Sequence, residues 1–326
     1  MSIPANKASV KSLLLKSLSP ALRDKLKGPS PKEQFDRIFE GVSYDIKSRS
    51  HALVKELALL RRSSDNRREF GKVFVKGAPL IQKLLKEGKR FERILVPAEN
   101  KFWASWSDQL ENGLKIPRDI LTYLCYERQF HKRSDDDKDL VVGSIAMPHS
   151  TDFAQVQTDS SFQKFLVLDS VQDPTNVGHL VSVASGLNWD GILPVGETCD
   201  PFEFKAVEAS EGDVFDARIL KRIRSSEQVL QLANEMRLLP IVAHIEGVRI
   251  DLLVADVMTE KGPKPTLKYK GILLFLGNEG RGPSKSVIDC ATRVTIPMAA
   301  KVESLNVAVS GAILMNQLGK LFSKLY

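Results

Sequence analysis

Short, mostly apolar runs separated by polar segments dominate the C-terminal half of the chain. Such runs lie at residues 164–168, 191–195, 240–245 and 272–276. Their length and their apolar character are typical of strands buried on both faces of a parallel sheet. Segments with helical spacing alternate with these runs. The pattern therefore predicts an α/β fold with helices on both faces of the sheet.

The N-terminal half has the pattern of a smaller α/β unit. Helical spacing covers residues 48–60 and 78–87, and strand-like runs lie at 72–75 and 91–96. A stretch of low hydrophobicity at 149–161 separates this unit from the C-terminal half. We therefore expect three parts, which are a basic extension over 1–46, a small α/β domain over 47–150 and a larger α/β domain over 160–326.

The net charge of the 326-residue chain, +7, is distributed unevenly. Residues 1–150 contain 29 lysines and arginines against 19 acids, whereas residues 151–326 contain 18 against 21. This asymmetry predicts that the N-terminal half binds a polyanion such as RNA, although a well-solvated basic surface has the same composition. The arginines that lie just before the first predicted strand are the candidate RNA contacts, and they are Arg61, Arg62, Arg67 and Arg68.

The first 23 residues are rich in lysine and serine and contain no acid. This composition is typical of an organelle transit peptide and equally of a basic RNA-binding tail. The chain contains three cysteines, which lie far apart and have no metal-ligand spacing, so neither a disulfide framework nor a metal site is predicted. No apolar run approaches the roughly 20 residues that a membrane-spanning helix needs. We expect a reducing compartment and no membrane segment.

Polar clusters follow three of the predicted strands, at residues 173–178, 277–282 and 296–306. Parallel sheets bind ligands at the carboxyl ends of their strands, so these three loops are expected to line one site. A helix is predicted over 180–187 after the first loop, and Ser304 is predicted to cap a final helix over 304–321. None of the loops is a dinucleotide or phosphate-loop glycine motif, which argues against a nicotinamide-dependent oxidoreductase.

The order of these motifs resembles that of a known family. Asp-Pro-x-Asn-x-Gly comes first, Gly-Asn-Glu-Gly-x-Gly second, and Ile-Pro-Met followed by Ser-Leu-Asn third. This order resembles the three motifs of the SpoU-type 2′-O-ribose RNA methyltransferases. The resemblance implies a trefoil-knotted parallel-sheet domain of the SPOUT superfamily. The basic N-terminal half is similar to the small L30e-like substrate-binding domain of the ribosomal-RNA members. Phe74-Val75-Lys76-Gly77 stands at the position where those proteins usually have Phe-Val-Glu-Gly.

The resemblance also implies a cofactor and a set of site residues. S-adenosylmethionine is expected to be held largely by backbone groups, which correspond here to Gly277, Ile296 and Leu305. The polar residues of the reaction site correspond to those at four positions, Asn176, Glu279, Ser304 and Asn306. The resemblance assigns no metal. We interpret Glu279 as a residue that orients the loop or a neighbouring side chain, and not as the base.

One position departs from the family pattern. The arginine that activates the ribose hydroxyl in these enzymes is replaced here by Ser182, and Arg281, His179 or an arginine from a partner subunit are the candidate substitutes. Two functions therefore stay open. The first is a ribosomal-RNA methyltransferase of mitochondria, or alternatively of the cytoplasm. The second is a non-catalytic RNA-binding factor in ribosome assembly. The expected partners are ribosomal RNA or a pre-ribosomal particle, and a second subunit in a homodimer or a heterodimer.

Overall fold

The structure is a computed structural model, and it describes residues 46–110, 112–126, 136–156, 162–250, 269–299 and 304–323. The predicted basic extension lies outside the described residues except for its last residue, Ile46. Among the described residues, two β-sheets form the framework, one in each half of the chain. No helix in the described ranges is long and apolar enough to cross a membrane.

The N-terminal sheet is mixed, with strand order β1-β4-β2-β3. Its strands β2 and β3 are parallel, and β4 runs antiparallel to both of its neighbours, β1 and β2. The elements of this half are α1 (Ala52–Arg62), α2 (Ser64–Phe70), β1 (Lys72–Lys76), α3 (Ala78–Lys86), β2 (Phe91–Pro97), α4 (Lys101–Ser107), β3 (Gly113–Ile116), α5 (Arg118–Tyr126) and β4 (Val142–Ala146). The predicted strands at 72–75 and 91–96 and the helix between them are confirmed.

Side chains of the N-terminal sheet alternate between two apolar clusters. Phe74 packs in a cluster with residues of α1 and α5, whereas Val73 and Val75 belong to the cluster that also contains residues of α3. This is the period-two pattern of a strand that is covered on both faces. The second cluster continues into the C-terminal half, so the two sheets share part of one apolar core.

The C-terminal sheet is entirely parallel, with strand order β6-β5-β8-β7-β9. Its elements are β5 (Gln163–Asp169), α6 (Pro174–Gly186), β6 (Gly191–Val195), α7 (Phe204–Ala209), α8 (Ser226–Glu235), β7 (Leu238–Arg249), β8 (Gly271–Gly277), α9 (Lys285–Cys290), β9 (Thr292–Thr295) and α10 (Val307–Ser323). All seven residues of the central strand β8 are buried. The predicted parallel sheet and its apolar strands are confirmed.

Helices cover both faces of the parallel sheet. Leu274 and Leu276 of β8 point to the cluster that contains residues of α6 and α10, whereas Leu273 and Phe275 point to a cluster with residues of α8 and α9. Burial on both faces explains why the strands read as continuous apolar runs in the sequence.

Helix α6 begins earlier than predicted. The segment 173–178 was expected to be a loop, with a helix only from 180, but the helix starts at Pro174. The Asp173 side chain caps it, because its Oδ1 accepts a hydrogen bond of 2.9 Å from the backbone N–H of Asn176. A backbone N–H at the first position of a helix has no acceptor within the helix, so proline, which lacks this N–H, loses no hydrogen bond there. The Asp-Pro pair therefore starts a helix here, and the loop prediction was wrong.

The cap of α10 is also different from the prediction. Asn306, and not Ser304, caps this helix, because its Oδ1 accepts hydrogen bonds from the backbone N–H groups of Ala308 (2.8 Å) and Val309 (3.3 Å). The helix accordingly begins at Val307, three residues after the predicted start at residue 304. Asparagine and serine are both favoured caps, so residue type alone did not separate the two positions.

A buried ion pair links the two halves of the chain. The Nε and Nη2 atoms of Arg67 donate hydrogen bonds of 2.9 and 2.6 Å to Oδ2 of Asp200, and its Nη1 donates to the carbonyl of Leu60 at 2.7 Å. The side chains of Arg67 and Asp200 are only 3% and 9% exposed. Arg67 is therefore not available to a phosphate. Its prediction as an RNA contact was wrong, and its role is to hold the two halves of the chain together.

Candidate functional site

The loops that follow β8 and β9 meet at one edge of the parallel sheet. Because all five strands run in the same direction, the segments after β5, β8 and β9 emerge at the same edge. A pocket of about 450 Å³ opens there. It is lined by the loop after β8, by residues that follow β9, by the start of α10, and by His244 and Ile245 of β7. Small-molecule sites commonly have volumes of this order, about 300–1,000 Å³.

The residues predicted from the second and third motifs line this pocket. Gly277, Ile296 and Leu305, which were expected to contact the cofactor, all contribute to its wall. The predicted reaction-site residues Glu279, Ser304 and Asn306 line it as well. Asn176, from the first motif, does not line the pocket but is hydrogen-bonded to Glu279 and Asn306, which do. Sequence reasoning missed His244 and Ile245, although they stand at the end of a predicted strand.

A hydrogen-bond chain joins the three motifs. The amide Nδ2 of Asn176 donates to Oε1 of Glu279 at 3.1 Å, and the Nδ2 of Asn306 donates to Oδ1 of Asn176 at 3.0 Å. The Asn306 amide oxygen is committed to capping α10. The amide nitrogen and the amide oxygen of both Asn176 and Asn306 therefore each have a hydrogen-bond partner, and these partners fix the orientation of the two amides.

The carboxylate of Glu279 is held as an anion. Partial burial acts to raise its pKa, but the hydrogen bonds from Asn176 and from the backbone N–H groups of Gln172 and Asp173 outweigh it and lower the pKa below its usual value. An efficient general base has a pKa close to the working pH, so a carboxylate with a lowered pKa is a poor proton acceptor. The contacts support the interpretation that Glu279 positions the first motif.

The loop after β8 is a tight turn organised by Asn278. The Asn278 Oδ1 accepts from the backbone N–H groups of Gly280 (3.0 Å) and Arg281 (2.9 Å), and its Nδ2 donates to the Ser170 carbonyl at 2.9 Å. The backbone folds back so closely that a Cβ on Gly277 would lie 2.1 Å from the nitrogen of Pro283. Only glycine fits at this position without a shift of the backbone.

Asp169 fixes the end of β5 beside this loop. It is buried, and its Oδ1 accepts from the Ser226 hydroxyl at 2.8 Å while its Oδ2 accepts from the Ser284 backbone N–H at 2.7 Å. These contacts connect β5 to the starts of α8 and α9. In the sequence, Asp169 is simply the first polar residue after an apolar run, so its two partners were not predicted.

Ser182 does not face the pocket. Its hydroxyl donates a 2.6 Å hydrogen bond to Oδ2 of Asp213, in a 3₁₀ turn at Asp213–Phe215. The other oxygen of Asp213 lies 3.4 Å from Nζ of Lys83 on α3, which also donates to the Glu211 carbonyl at 2.8 Å. Ser182 is thus the first member of a link, here called the Ser182–Asp213–Lys83 link, that reaches the N-terminal half.

The candidate substitutes for the arginine lie in different places. Arg281 lines the pocket, its side chain is 70% exposed, and its Nη2 is 3.5 Å from a carboxylate oxygen of Glu197. His179 is exposed on α6 and lines a second pocket, which lies between α6, α7 and the N-terminal sheet. Of these two side chains, only Arg281 is at the predicted reaction site.

The other arginines of the predicted RNA surface differ in exposure. The Arg61 guanidinium lies over the Phe204 ring, with 4.8 Å between its central carbon and the ring centre. Arg62 is exposed and donates to the Tyr123 hydroxyl at 3.3 Å, and Arg68 is exposed and pairs with Asp65 at 3.3 Å. These three remain candidate RNA contacts.

The parallel sheet and the pocket at its carboxyl edge define an α/β protein with a ligand site at the strand ends. Residues 163–316, just under half of the chain, match the model of the SpoU rRNA Methylase family. The parallel-sheet half of the chain is therefore similar to the SpoU rRNA Methylase family.

Relatives and solved structures extend the similarity over most of the chain. The sequence is 23% identical over 276 residues to the 23S rRNA (guanosine(2553)-2′-O)-methyltransferase RlmP of Bacillus subtilis, which covers 84% of this chain and 98% of that protein. It is 28% identical to the mitochondrial rRNA methyltransferase 1 of Dictyostelium discoideum over 49% of this chain and 29% of that protein. The crystal structure of the SpoU methyltransferase AviRb from Streptomyces viridochromogenes with the cofactor AdoMet covers 84% of this chain and 98% of that one, with a TM-score of 0.65 at 21% identity. The structural similarity shows a shared fold.

Proposed function

We propose that the protein is an S-adenosylmethionine-dependent 2′-O-ribose methyltransferase that acts on ribosomal RNA. The observation that carries this proposal is the Glu279–Asn176–Asn306 hydrogen-bond chain at the pocket, in a domain of the SpoU family. In its domain organisation, residues 47–150 form an L30e-like RNA-binding domain and residues 160–326 form the methyltransferase domain. The trefoil knot of the second domain remains a prediction from the family resemblance.

The residues of the pocket fit the proposed cofactor. Ile296 and Leu305 supply apolar walls, the backbone at Gly277 supplies polar groups that no side chain covers, and Glu279 supplies one carboxylate. A cation that also has an adenosine group matches this combination of surfaces. When bound, S-adenosylmethionine supplies a methyl carbon that is made electrophilic by the positively charged sulfonium.

The chain has to place the ribose 2′-hydroxyl in line with that carbon and to assist the loss of its proton. Asn176 and Asn306 are oriented by Glu279 and by the cap of α10, so they present fixed polar groups at the reaction site. Ser304 is exposed at the pocket wall and can donate to the substrate. In our proposal, the guanidinium of Arg281 stabilises the developing oxyanion in place of the arginine that Ser182 replaces.

This assignment predicts that loss of the Arg281 side chain impairs methyl transfer but not the binding of S-adenosylmethionine. The Arg281→Ala variant should bind S-adenosylmethionine as the wild type does, because backbone and apolar groups form most of the pocket. Its methyl transfer should fall by roughly 10²-fold or more, since an acid–base or oxyanion partner contributes about that much. The measurements are calorimetric titration with S-adenosylmethionine and tritium incorporation into transcribed large-subunit ribosomal RNA. Arg293→Ala, which removes an exposed arginine outside the pocket, is the control.

The same assay distinguishes the second candidate function. Ser182 favours a non-catalytic ribosome-assembly factor, because the chain lacks the family arginine at this position. A wild-type protein that binds S-adenosylmethionine and RNA but transfers no methyl group would support that function and exclude ours. Ser182→Arg alone should not raise the transfer rate, because its guanidinium would be drawn to the Asp213 carboxylate beside position 182.

A dimer is the proposed assembly, either with a second copy or with a related subunit. Val309 of α10 is 49% exposed, and Val307 and Ile313 are partly exposed on the same helix, whereas Leu314 and Leu318 are buried. We expect Val309→Asp to reduce the mass measured by light scattering from that of a dimer to that of a monomer. Val248→Asp, at a valine that is similarly exposed (45%) on β7, is the control. A wild-type protein that is monomeric without any other subunit would contradict a homodimer.

The proposed location is the mitochondrion. The basic, serine-rich first 23 residues and the mitochondrial Dictyostelium relative support it, whereas the bacterial relative fits the cytoplasmic alternative equally well. Microscopy of the full chain with a carboxyl-terminal fluorescent tag tests the proposal, and a diffuse cytoplasmic signal would overturn it.

A further inference from the structure

A second pocket of about 470 Å³ lies where the N-terminal sheet meets α6 and α7. Arg61, Lys76 and Lys205 line it, and Glu208 is the one carboxylate among its lining residues. Within the part of the chain that the structure describes, Lys76 and Lys205 contact the rings of Tyr126 and Phe204, and neither lysine forms an ion pair. The pocket therefore has an excess of positive charge, which attracts an anion.

Aromatic rings hold two of these cations in place. The Nζ of Lys76 lies 4.6 Å from the centre of the Tyr126 ring, and the Arg61 guanidinium lies over Phe204. A cation–π contact restrains a cation without neutralising its charge. Cys125 does not balance the charge either, because burial raises the pKa of its thiol to about 12 although Lys76 and Arg61 act to lower it.

The position of this pocket relates it to the reaction site. Thr175 and His179 line it from the first turns of α6. Asn176 lies between them in sequence and points to Glu279 and Asn306 at the other pocket. The two pockets are thus separated by the start of one helix, whose diameter with side chains is about 10–12 Å. One RNA strand can reach both.

We propose that this second pocket binds the phosphodiester group of a nucleotide next to the one that is methylated. The inference rests on the proposed function, because it takes RNA as the substrate. Arginine and lysine together are the common partners of phosphate, and phosphate contacts fix the register of a nucleic acid on a protein. The volume is sufficient for a nucleotide. The pocket therefore sets which ribose hydroxyl reaches the methyl-transfer site.

The test compares Lys76→Gln, Lys205→Gln and the double variant with Lys115→Gln, which removes an exposed lysine of β3 on the N-terminal sheet. The measurement is filter binding of a radiolabelled large-subunit ribosomal RNA transcript at several salt concentrations. We expect each pocket variant to bind about 10-fold more weakly. The slope of log affinity against log salt should fall by about 0.7 in the double variant, because the contact with one phosphate is lost there. Lys115→Gln should match the wild type.

Titration with S-adenosylmethionine and methyl transfer, measured on the same samples, separate this inference from the proposed function. Binding and salt slopes that are the same in all variants would overturn the phosphate pocket, even if the wild type methylates RNA. If the wild type transfers no methyl group but the pocket variants lose RNA affinity and slope, the pocket stands and the proposed activity falls. A wild type that does not bind the transcript overturns both.

Discussion

Arg67→Ala should lower the free energy of unfolding by about 3–5 kcal/mol, because it leaves the Asp200 carboxylate buried without its partner. The carbonyl of Leu60 would lose its donor as well. For a chain of this size, a loss of that magnitude corresponds to a fall of roughly 10 °C in the melting temperature. Thermal unfolding followed by circular dichroism measures it.

The neighbouring arginine provides a matched control for this experiment. Arg68 pairs with Asp65 on the surface, where its side chain is 49% exposed and that of Asp65 is 94% exposed. Exposed pairs contribute about 0–1 kcal/mol, so Arg68→Ala should leave the melting temperature nearly unchanged. Equal effects of the two substitutions would show that the Arg67–Asp200 pair does not join the two halves in solution.

Gly277→Ala should weaken the binding of S-adenosylmethionine by roughly 10- to 100-fold. The added Cβ would lie 2.1 Å from the Pro283 nitrogen, and since backbone surrounds it on that side, the turn itself has to move. Overpacking of this kind costs about 1–3 kcal/mol. If the turn relieves it by shifting into the pocket, the same free energy is lost from cofactor binding, which gives the expected fall in affinity. Calorimetric titration measures the affinity, and thermal unfolding verifies that the variant is folded.

A second glycine in the same turn is the control for Gly277. A Cβ on Gly280 would have its nearest neighbour, Oδ1 of Asn278, at 3.7 Å, which is an ordinary contact distance. Gly280→Ala should therefore bind S-adenosylmethionine almost as the wild type does. Unchanged affinity in Gly277→Ala would show that the cofactor does not depend on the shape of this turn.

The parts of the fold that the sequence predicted are those whose cause is local. The run at 272–276 is apolar at every position because β8 is buried on both faces, so its pattern alone identified a central parallel strand. The residues of the second and third motifs were placed at one site because parallel strands bring their carboxyl ends together. The resemblance to the family added the cofactor and the assignment of particular residues, Asn176 among them, to the reaction site.

One error concerns a contact whose partner lies far away in the sequence, and two concern helix starts at which the residue types allow more than one structure. Arg67 lies in a cluster of arginines that resembles an RNA-binding surface, and its partner Asp200 is 133 residues further along the chain. Asp173-Pro174 is compatible with either a turn or a helix start. The hydrogen bond that the Asp173 side chain accepts from the backbone N–H of Asn176 shows that it starts a helix. Likewise, Ser304 and Asn306 are both suitable caps, and the hydrogen bonds that Asn306 accepts identify it as the cap of α10.

The Ser182–Asp213–Lys83 link has an evolutionary consequence. A change of serine to arginine at position 182 would meet a carboxylate that is already shared with Lys83 of the other half. Recovering the family arrangement would therefore require a second substitution, at Asp213, and that substitution would remove a contact between the halves. Under the proposed function, selection for faster methyl transfer would therefore act on other positions around the pocket, with Arg281 the first of them.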